Sequence, residues 1–174
     1  NGLFELRPFF WKNKKKINVY GNYKTINELK NRFKFCFKKT SSYPAIIKGN
    51  IVKKKFSLGD YEGKINFKSF EAKHGLTKSV IYIFSQTAYI SDCSDLSIVN
   101  KKELQNLNNL IIDCSRLKKY YSHFNLSDAL FISKMLKPKN TILTNLESDI
   151  DYNFILKKLP KNVLPAYDGL SIDL

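Results

Sequence analysis

Short apolar runs alternate along this chain with polar residues placed where each run ends. His74-Gly75 follows Ile65-Asn66-Phe67-Lys68-Ser69-Phe70-Glu71-Ala72, Asp92 follows Ala88-Tyr89-Ile90-Ser91, and Asp113 follows Leu110-Ile111-Ile112. His123 precedes Phe124-Asn125-Leu126, and Thr144-Asn145-Leu146-Glu147 follows Thr141-Ile142-Leu143. Short apolar runs that alternate with helical periodicity predict the strands of an α/β sheet. Side chains just past the strand ends of such a sheet are where ligands and metals collect. The chain has two histidines, and both lie in this series.

The pattern predicts elements in order. Ile17-Asn18-Val19-Tyr20 reads as a strand. Thr25-Ile26-Asn27-Glu28 has the spacing of a capping box, so a helix is expected from Thr25 to about Phe37. Residues 45–72 place β-prone runs between the turn pairs Gly49-Asn50, Gly59-Asp60 and Glu62-Gly63, which predicts a meander of short antiparallel strands. Ser79–Phe84 and Ala88–Ile90 are strands around a turn near Ser85-Gln86. A helix over Lys101–Leu107 precedes the strand Leu110–Ile112. Leu126, Ala129, Leu130, Ser133 and Leu136 fall at helical spacing, with Asn125 or Ser127 as cap and Pro138 as stop. The strand Thr141–Leu143, a helix from about Asp151 to Leu159, a loop between Pro160 and Pro165, a turn at Asp168-Gly169 and a last strand Leu170–Leu174 complete the reading. With no internal repeat and no low-complexity linker, residues 1–174 are expected to form a single domain.

At 174 residues, with 43% hydrophobic and 14% aromatic residues, the chain can bury a real core. No apolar run approaches the roughly 20 residues that span a bilayer, so no membrane partner is expected. The net charge is +15, yet only three of the 30 basic residues are arginine: Arg7, Arg32 and Arg116. Nucleic-acid and phosphate readers also use arginine forks. Most of the lysine is therefore read as solvated surface, with a diffuse field that favours anionic substrates. Cys36, Cys93 and Cys114 form no C-x-x-C pair. They read as buried small hydrophobes in a reducing, cytoplasmic protein.

Taken together, Phe70-Glu71-Ala72-Lys73-His74-Gly75, Thr87-Ala88-Tyr89-Ile90-Ser91-Asp92-Cys93, Leu110-Ile111-Ile112-Asp113-Cys114-Ser115-Arg116, Ser122-His123-Phe124-Asn125-Leu126-Ser127-Asp128-Ala129-Leu130 and Thr144-Asn145-Leu146-Glu147 form an ordered set of motifs. The set resembles the metallo-β-lactamase-fold hydrolases, in the branch of the phosphoribosyl cyclic phosphodiesterase of phosphonate catabolism. Asn1-Gly2-Leu3-Phe4-Glu5-Leu6-Arg7 resembles the stretch that follows the His-x-His-x-Asp-His metal motif in that branch. The resemblance implies an αββα sandwich of the α/β class, incomplete at its N-terminus. In that family two divalent ions, Mn²⁺ or Zn²⁺, are held at the sandwich edge, and a metal-bound hydroxide attacks phosphorus. By position it implies His74 as a metal ligand and Asp92 as the bridging carboxylate. His123 becomes the catalytic histidine near the phosphate. Where the family places its final histidine ligand, this chain has Thr144-Asn145-Leu146-Glu147, and Glu147 is the carboxylate substitute. Asp113 and Arg116 are expected to pair near the site.

The resemblance implies a hydrolase of a small anionic phosphodiester, of the cyclic sugar phosphate type, with this chain carrying only part of the metal site. A non-catalytic module of the same fold, a nuclease of the same fold acting on nucleic acid, and a homodimer remain open alternatives.

Overall fold

The computed structural model describes residues 2–59 and 63–174. Of the expected turn pairs, Asp60 and Glu62 lie outside the described residues. The chain divides into two compact units, Asn1–Lys53 and Lys54–Leu174.

The first unit opens with a 3-10 turn, Gly2–Leu6, and helix α1, Arg7–Asn13. Strand β1 (Ile17–Gly21) leads into α2 (Tyr23–Arg32) and the short α3 (Lys34–Phe37), and then into β2 (Ile47–Ile51). β1 and β2 pair in parallel, Ile17 opposite Ile47, so Ile46-Ile47 and Ile51 do not open an antiparallel meander. Parallel neighbours need a crossover, and the two helices supply it. Gly49 admits that packing: a Cβ there would lie 3.0 Å from Ile26 Cγ2 and 3.2 Å from Phe37 Cε1.

The expected capping box is displaced. Asn22, not Thr25, is the N-cap, and its Oδ1 accepts from the Thr25 amide at 2.8 Å. An Asn cap three residues earlier starts the helix sooner and satisfies one of the orphan donors of that earlier first turn. The helix also breaks at Phe33 (φ −116°, ψ 38°), so it does not run unbroken to Phe37. Phe33 and Phe37 both pack on the buried cluster of Cys36, Ile46 and Ile47, and the break lets a short chain bring both rings to it.

The second unit is a seven-stranded sheet in the order β3-β4-β5-β6-β7-β8-β9. Its strands are β3 (Lys55–Gly59), β4 (Lys64–His74), β5 (Thr77–Phe84), β6 (Thr87–Ile90), β7 (Asn109–Asp113), β8 (Asn140–Thr144) and β9 (Val163–Pro165). β3 to β6 are antiparallel neighbours, and β6 to β9 run parallel. The β5–β6 hairpin turns on Ser85 (φ 45°) and Gln86 (φ 57°), the positive pair that a two-residue hairpin requires. Helix α4 (Leu126–Leu136) connects β7 to β8, and α5 (Tyr152–Leu156) connects β8 to β9. The expected helix over Lys101–Leu107 is a 3-10 turn, Lys101–Leu104, capped by Asn100. The expected last strand, Leu170–Leu174, does not form. Val163–Pro165 pairs with β8 instead, and proline is tolerated on that edge.

One face of the sheet carries the core. Ala72, Ile81, Ala88, Ile90, Leu110, Ile112 and Leu143 are buried with Ala129 and Ile132 of α4 and with Val99, Leu104 and Leu107. The cap of α4 is reciprocal: Asn125 Oδ1 accepts from the Asp128 amide at 2.8 Å, and Asp128 Oδ2 accepts from the Asn125 amide at 3.4 Å. Asn125→Ala is expected to cost about 1 kcal/mol. Urea unfolding followed by far-UV circular dichroism checks this, and an unshifted midpoint would remove the cap from the account. No helix among the described residues is long and apolar enough to cross a membrane.

This topology positions the site. β4, β6, β7 and β8 all point the same way, because β4 and β6 are each antiparallel to β5. Their C-terminal ends therefore meet at one sheet edge, carrying His74, Asp92, Asp113 and Asn145.

Candidate metal centre

His74 is the last residue of β4. Its Nδ1 lies 2.7 Å from the Ser122 carbonyl oxygen. A carbonyl only accepts, so Nδ1 carries the proton and Nε2 is left with its lone pair. Gly75 follows at φ +56°, where a Cβ would lie 2.9 Å from the Tyr121 ring and 3.0 Å from Ser122 Cβ. Glycine is needed here twice over, for the left-handed turn and for the close approach of the Tyr121 and Ser122 side chains.

His123 arrives from the loop that follows β7. Its segment is pinned on both sides, by Phe124 N donating to Cys93 O at 2.7 Å and Ser115 N donating to Phe124 O at 3.2 Å. His123 Nδ1 lies 2.8 Å from Asp113 Oδ2, and its ring meets that of His74 edge-on at 4.6 Å between centroids. Asp113 is fully buried. Burial pushes its carboxyl up from the usual carboxylate range, while the Cys93 amide (3.0 Å), Asn145 Nδ2 (3.1 Å) and His123 draw it back down. The pairing with Asp113 orients the His123 ring and commits Nδ1, again leaving Nε2.

Asp92 lies two residues beyond β6, with its side chain about half exposed. His74, Asp92 and His123 each offer one ligand atom, and these atoms lie within 4.8 Å of one another. Two imidazoles and a carboxylate suit a divalent ion of borderline hardness, and three protein ligands leave positions open for water and substrate. Outer hydrogen bonds to both histidines are the usual support of such a centre.

Glu147 is held elsewhere: its carboxylate lies 2.8 Å from Arg116 Nε, and it is not one of the three clustered donors. Arg116 also stacks on Tyr120 at 4.4 Å. The expected Asp113–Arg116 pair does not form, because Asp113 turns inward to His123 while Arg116 reaches Glu147 across the loop. Asp113 and Asn145 both lie in the strand-end series, but their roles as partners of His123 and Asp92 were not read from it. Asp113's signal was its place directly after a fully apolar strand. The thiols of Cys93 and Cys114 are pushed up to about 12 by burial, and neither is one of the three clustered donors.

No family model matches the sequence, and no curated protein does. Solved structures do. A diphosphatase from the PhnP family matches with a TM-score of 0.83 and 26% identity, over 97% of this chain and 63% of its own. The metallo-β-lactamase-fold protein YhfI from Bacillus subtilis matches at 0.71 and 16% identity, over 97% of this chain and 70% of its own. The chain has the metallo-β-lactamase fold. Zn²⁺-bound PqqB from Methylobacterium extorquens shares that fold at a TM-score of 0.67 and 11% identity, over 92% of this chain and 66% of its own. The chain thus spans less than two thirds of the diphosphatase's length. Within the metallo-β-lactamase fold the clustered donors lie at the sheet edge formed by the ends of β4 and β6 and the loop after β7.

Proposed function

We propose that this chain belongs to a metal-dependent hydrolase acting on a phosphoester bond of a small anionic substrate. The observation that carries the reading is the convergence of His74, Asp92 and His123, one donor atom each within 4.8 Å. These three residues would hold the ion. When bound, a divalent ion supplies Lewis-acid polarisation of a phosphoryl oxygen and acidifies water. His123, expected from the resemblance to act on the phosphate, serves here as the third ligand, with Asp113 holding its Nδ1 proton. Glu147 keeps Arg116 in place on the neighbouring loop. The exposed Lys118 and Lys119 precede His123 on that loop and, with the net charge of +15, draw an anionic substrate toward the edge. The likeness to a diphosphatase supports a phosphorus centre as the point of attack.

The full chain loaded with Mn²⁺ or Zn²⁺ is expected to release p-nitrophenol from bis-p-nitrophenyl phosphate, to stop on addition of EDTA, and to recover with fresh metal. Release no faster than in buffer containing the same metal would remove the hydrolase reading.

A further inference from the structure

The positive charge of this chain is not spread evenly. Residues 1–53, the first unit, carry thirteen basic side chains against two acidic ones, a net +11. Residues 54–174 carry seventeen against thirteen, a net +4 over more than twice the length. A lysine-rich composition alone would load both units alike, so the field has a location. Both carboxylates of the first unit are held by its two arginines: Glu5 lies 3.7 Å from Arg7, and Glu28 lies 2.9 Å from Arg32. The rest of the charge is lysine. Lysine is a compact point charge, suited to phosphates met one at a time rather than to the two-pronged reading of a base edge.

The fold gathers these lysines around aromatic rings. Lys12, Lys14, Lys15 and Lys16 form one exposed run at the end of α1, and Lys34, Lys38 and Lys39 form another in and after α3. A row of rings links the runs, because Trp11 adjoins Lys12 and Phe35 adjoins Lys34. Trp11 meets Tyr43 edge-on at 6.0 Å, Tyr43 meets Phe4 at 6.1 Å, and Phe4 meets Phe35 edge-on at 5.2 Å. The turn that brings Tyr43 back is closed by Thr40, whose amide donates to the Tyr43 carbonyl at 2.8 Å. Trp11 and Phe35, the two ends of the row, are 44% and 47% exposed, while Phe4 and Tyr43 between them are partly buried. Lysine is seldom covered by a neutral surface, because an unpaired charge stripped of water is costly, so this face fits a polyanion. The rings narrow the choice. Of the six exposed large apolar side chains described in this unit, five are aromatic (Phe9, Trp11, Tyr20, Tyr23 and Phe35), and Ile51 is the sixth. A lipid surface accepts aliphatic chains as readily, whereas only a ring offers a π-face to an unstacked base. A duplex keeps its bases stacked inside, so the bases within reach are those of a single strand.

We propose that the first unit is a binding surface for single-stranded nucleic acid, with the two lysine runs on the phosphates and the rings of Trp11 and Phe35 stacking on bases. Such binding is tolerant of sequence, because every base has a π-face and lysine reads charge alone. It is a function beyond the phosphoester reading and uses none of the metal-centre residues.

The test uses the full chain in EDTA, so that the metal centre takes no part, and an unstructured RNA of about 20 nucleotides, longer than one such surface covers. Anisotropy of the end-labelled RNA is expected to show saturable binding that weakens about 60- to 1,000-fold between about 50 and 200 mM salt, a logarithmic slope of about −3 to −5. Unlabelled RNA is expected to quench the emission of Trp11, the single tryptophan, as a base stacks on it. Inorganic polyphosphate has the charge and no bases, so it is expected to bind about 5-fold or more weakly than RNA and to leave that emission unchanged. The triple variant Lys12→Gln, Lys15→Gln, Lys16→Gln is expected to lower the magnitude of the slope by about 2 while circular dichroism stays that of wild type. If it does not fold, Lys38→Gln with Lys39→Gln is expected to lower it by about 1.4. No binding at about 50 mM salt overturns the proposal. So does an unchanged slope in a folded variant, which puts the contacts elsewhere. Polyphosphate that binds as tightly as RNA, or Trp11 emission that RNA does not change, removes the stacking and with it the proposal. Tighter binding to phosphatidylserine vesicles than to RNA overturns it in favour of a membrane surface. Each outcome leaves the phosphoester reading where it was, since hydrolysis of bis-p-nitrophenyl phosphate tests that separately.

Discussion

His74→Ala is expected to abolish measurable metal binding and any metal-dependent hydrolysis while leaving the fold in place. His74 ends a strand of eleven residues, and its side chain is only partly buried, so truncation leaves no large cavity. What it removes is one of three donor atoms and the hydrogen bond to the Ser122 carbonyl. Loss of a supporting outer partner costs roughly 10- to 100-fold in metal affinity, and loss of a ligand itself should exceed about 100-fold. Isothermal titration with Zn²⁺ gives the affinity, and circular dichroism reports the fold. Affinity within about threefold of wild type would show that the ion is held elsewhere. Asp92→Ala should behave alike, with the added loss of the acceptor for Asn145.

Ile112→Ala is expected to be the most destabilising single truncation in the sheet. Ile112 is fully buried on β7, the middle of the parallel strands, with Ile90 on β6 and Leu143 on β8 as its register partners, each also fully buried. The deletion removes three methyl or methylene carbons from a point flanked on both sides by strands that cannot collapse inward. Large-to-small changes of this kind cost about 2–5 kcal/mol. Against the 5–15 kcal/mol that typically holds a domain together, this is a substantial share. Urea unfolding should be followed by far-UV circular dichroism, which reports on the sheet backbone itself. A loss below about 0.5 kcal/mol would mean that Ile112 is not packed as described. A loss of metal affinity should accompany the unfolding, since Asp113 is the next residue.

Much of the fold is legible in the residues because the strands in the second unit obey simple patterns. Leu110-Ile111-Ile112 is apolar throughout and Thr141-Ile142-Leu143 nearly so, as strands covered in a parallel sheet tend to be. The helix Leu126–Leu136 carries both its cap and its buried face in its own sequence. Where the reading failed, distant partners outweighed local preference. Thr25-x-x-Glu28 has the spacing of a cap, but Asn22 lies closer to the end of β1 and takes the role. Leu170–Leu174 had strand-like composition, but the edge of β8 was already paired with Val163–Pro165. The tail instead offers the Asp173 carbonyl to Asn109 Nδ2 at 3.0 Å.

The candidate site divides along the same line. Its membership is local information: a polar residue just after an apolar strand ends must lie at the sheet edge, whatever the rest of the chain does. His74, Asp92, Asp113 and Asn145 were all visible by that argument, whereas His123, in the loop after β7, was singled out by the ordered set of motifs. Their partnerships are not local information. Asp113 bonds to His123 ten residues away, Asn145 to Asp92 fifty-three away, and Arg116 to Glu147 thirty-one away. Each choice depends on which strand neighbours which, and on whether a carboxylate turns into the core or out to the loop. Sequence alone therefore determined which residues reach the edge and that the chain builds this fold. The tertiary structure alone decided that Asp113 turns inward to hold His123, that Glu147 is spent on Arg116, and that an uncharged amide lies between two acids. Hydrogen-bond partners are set within about 3 Å, a distance that only the register of packed strands defines.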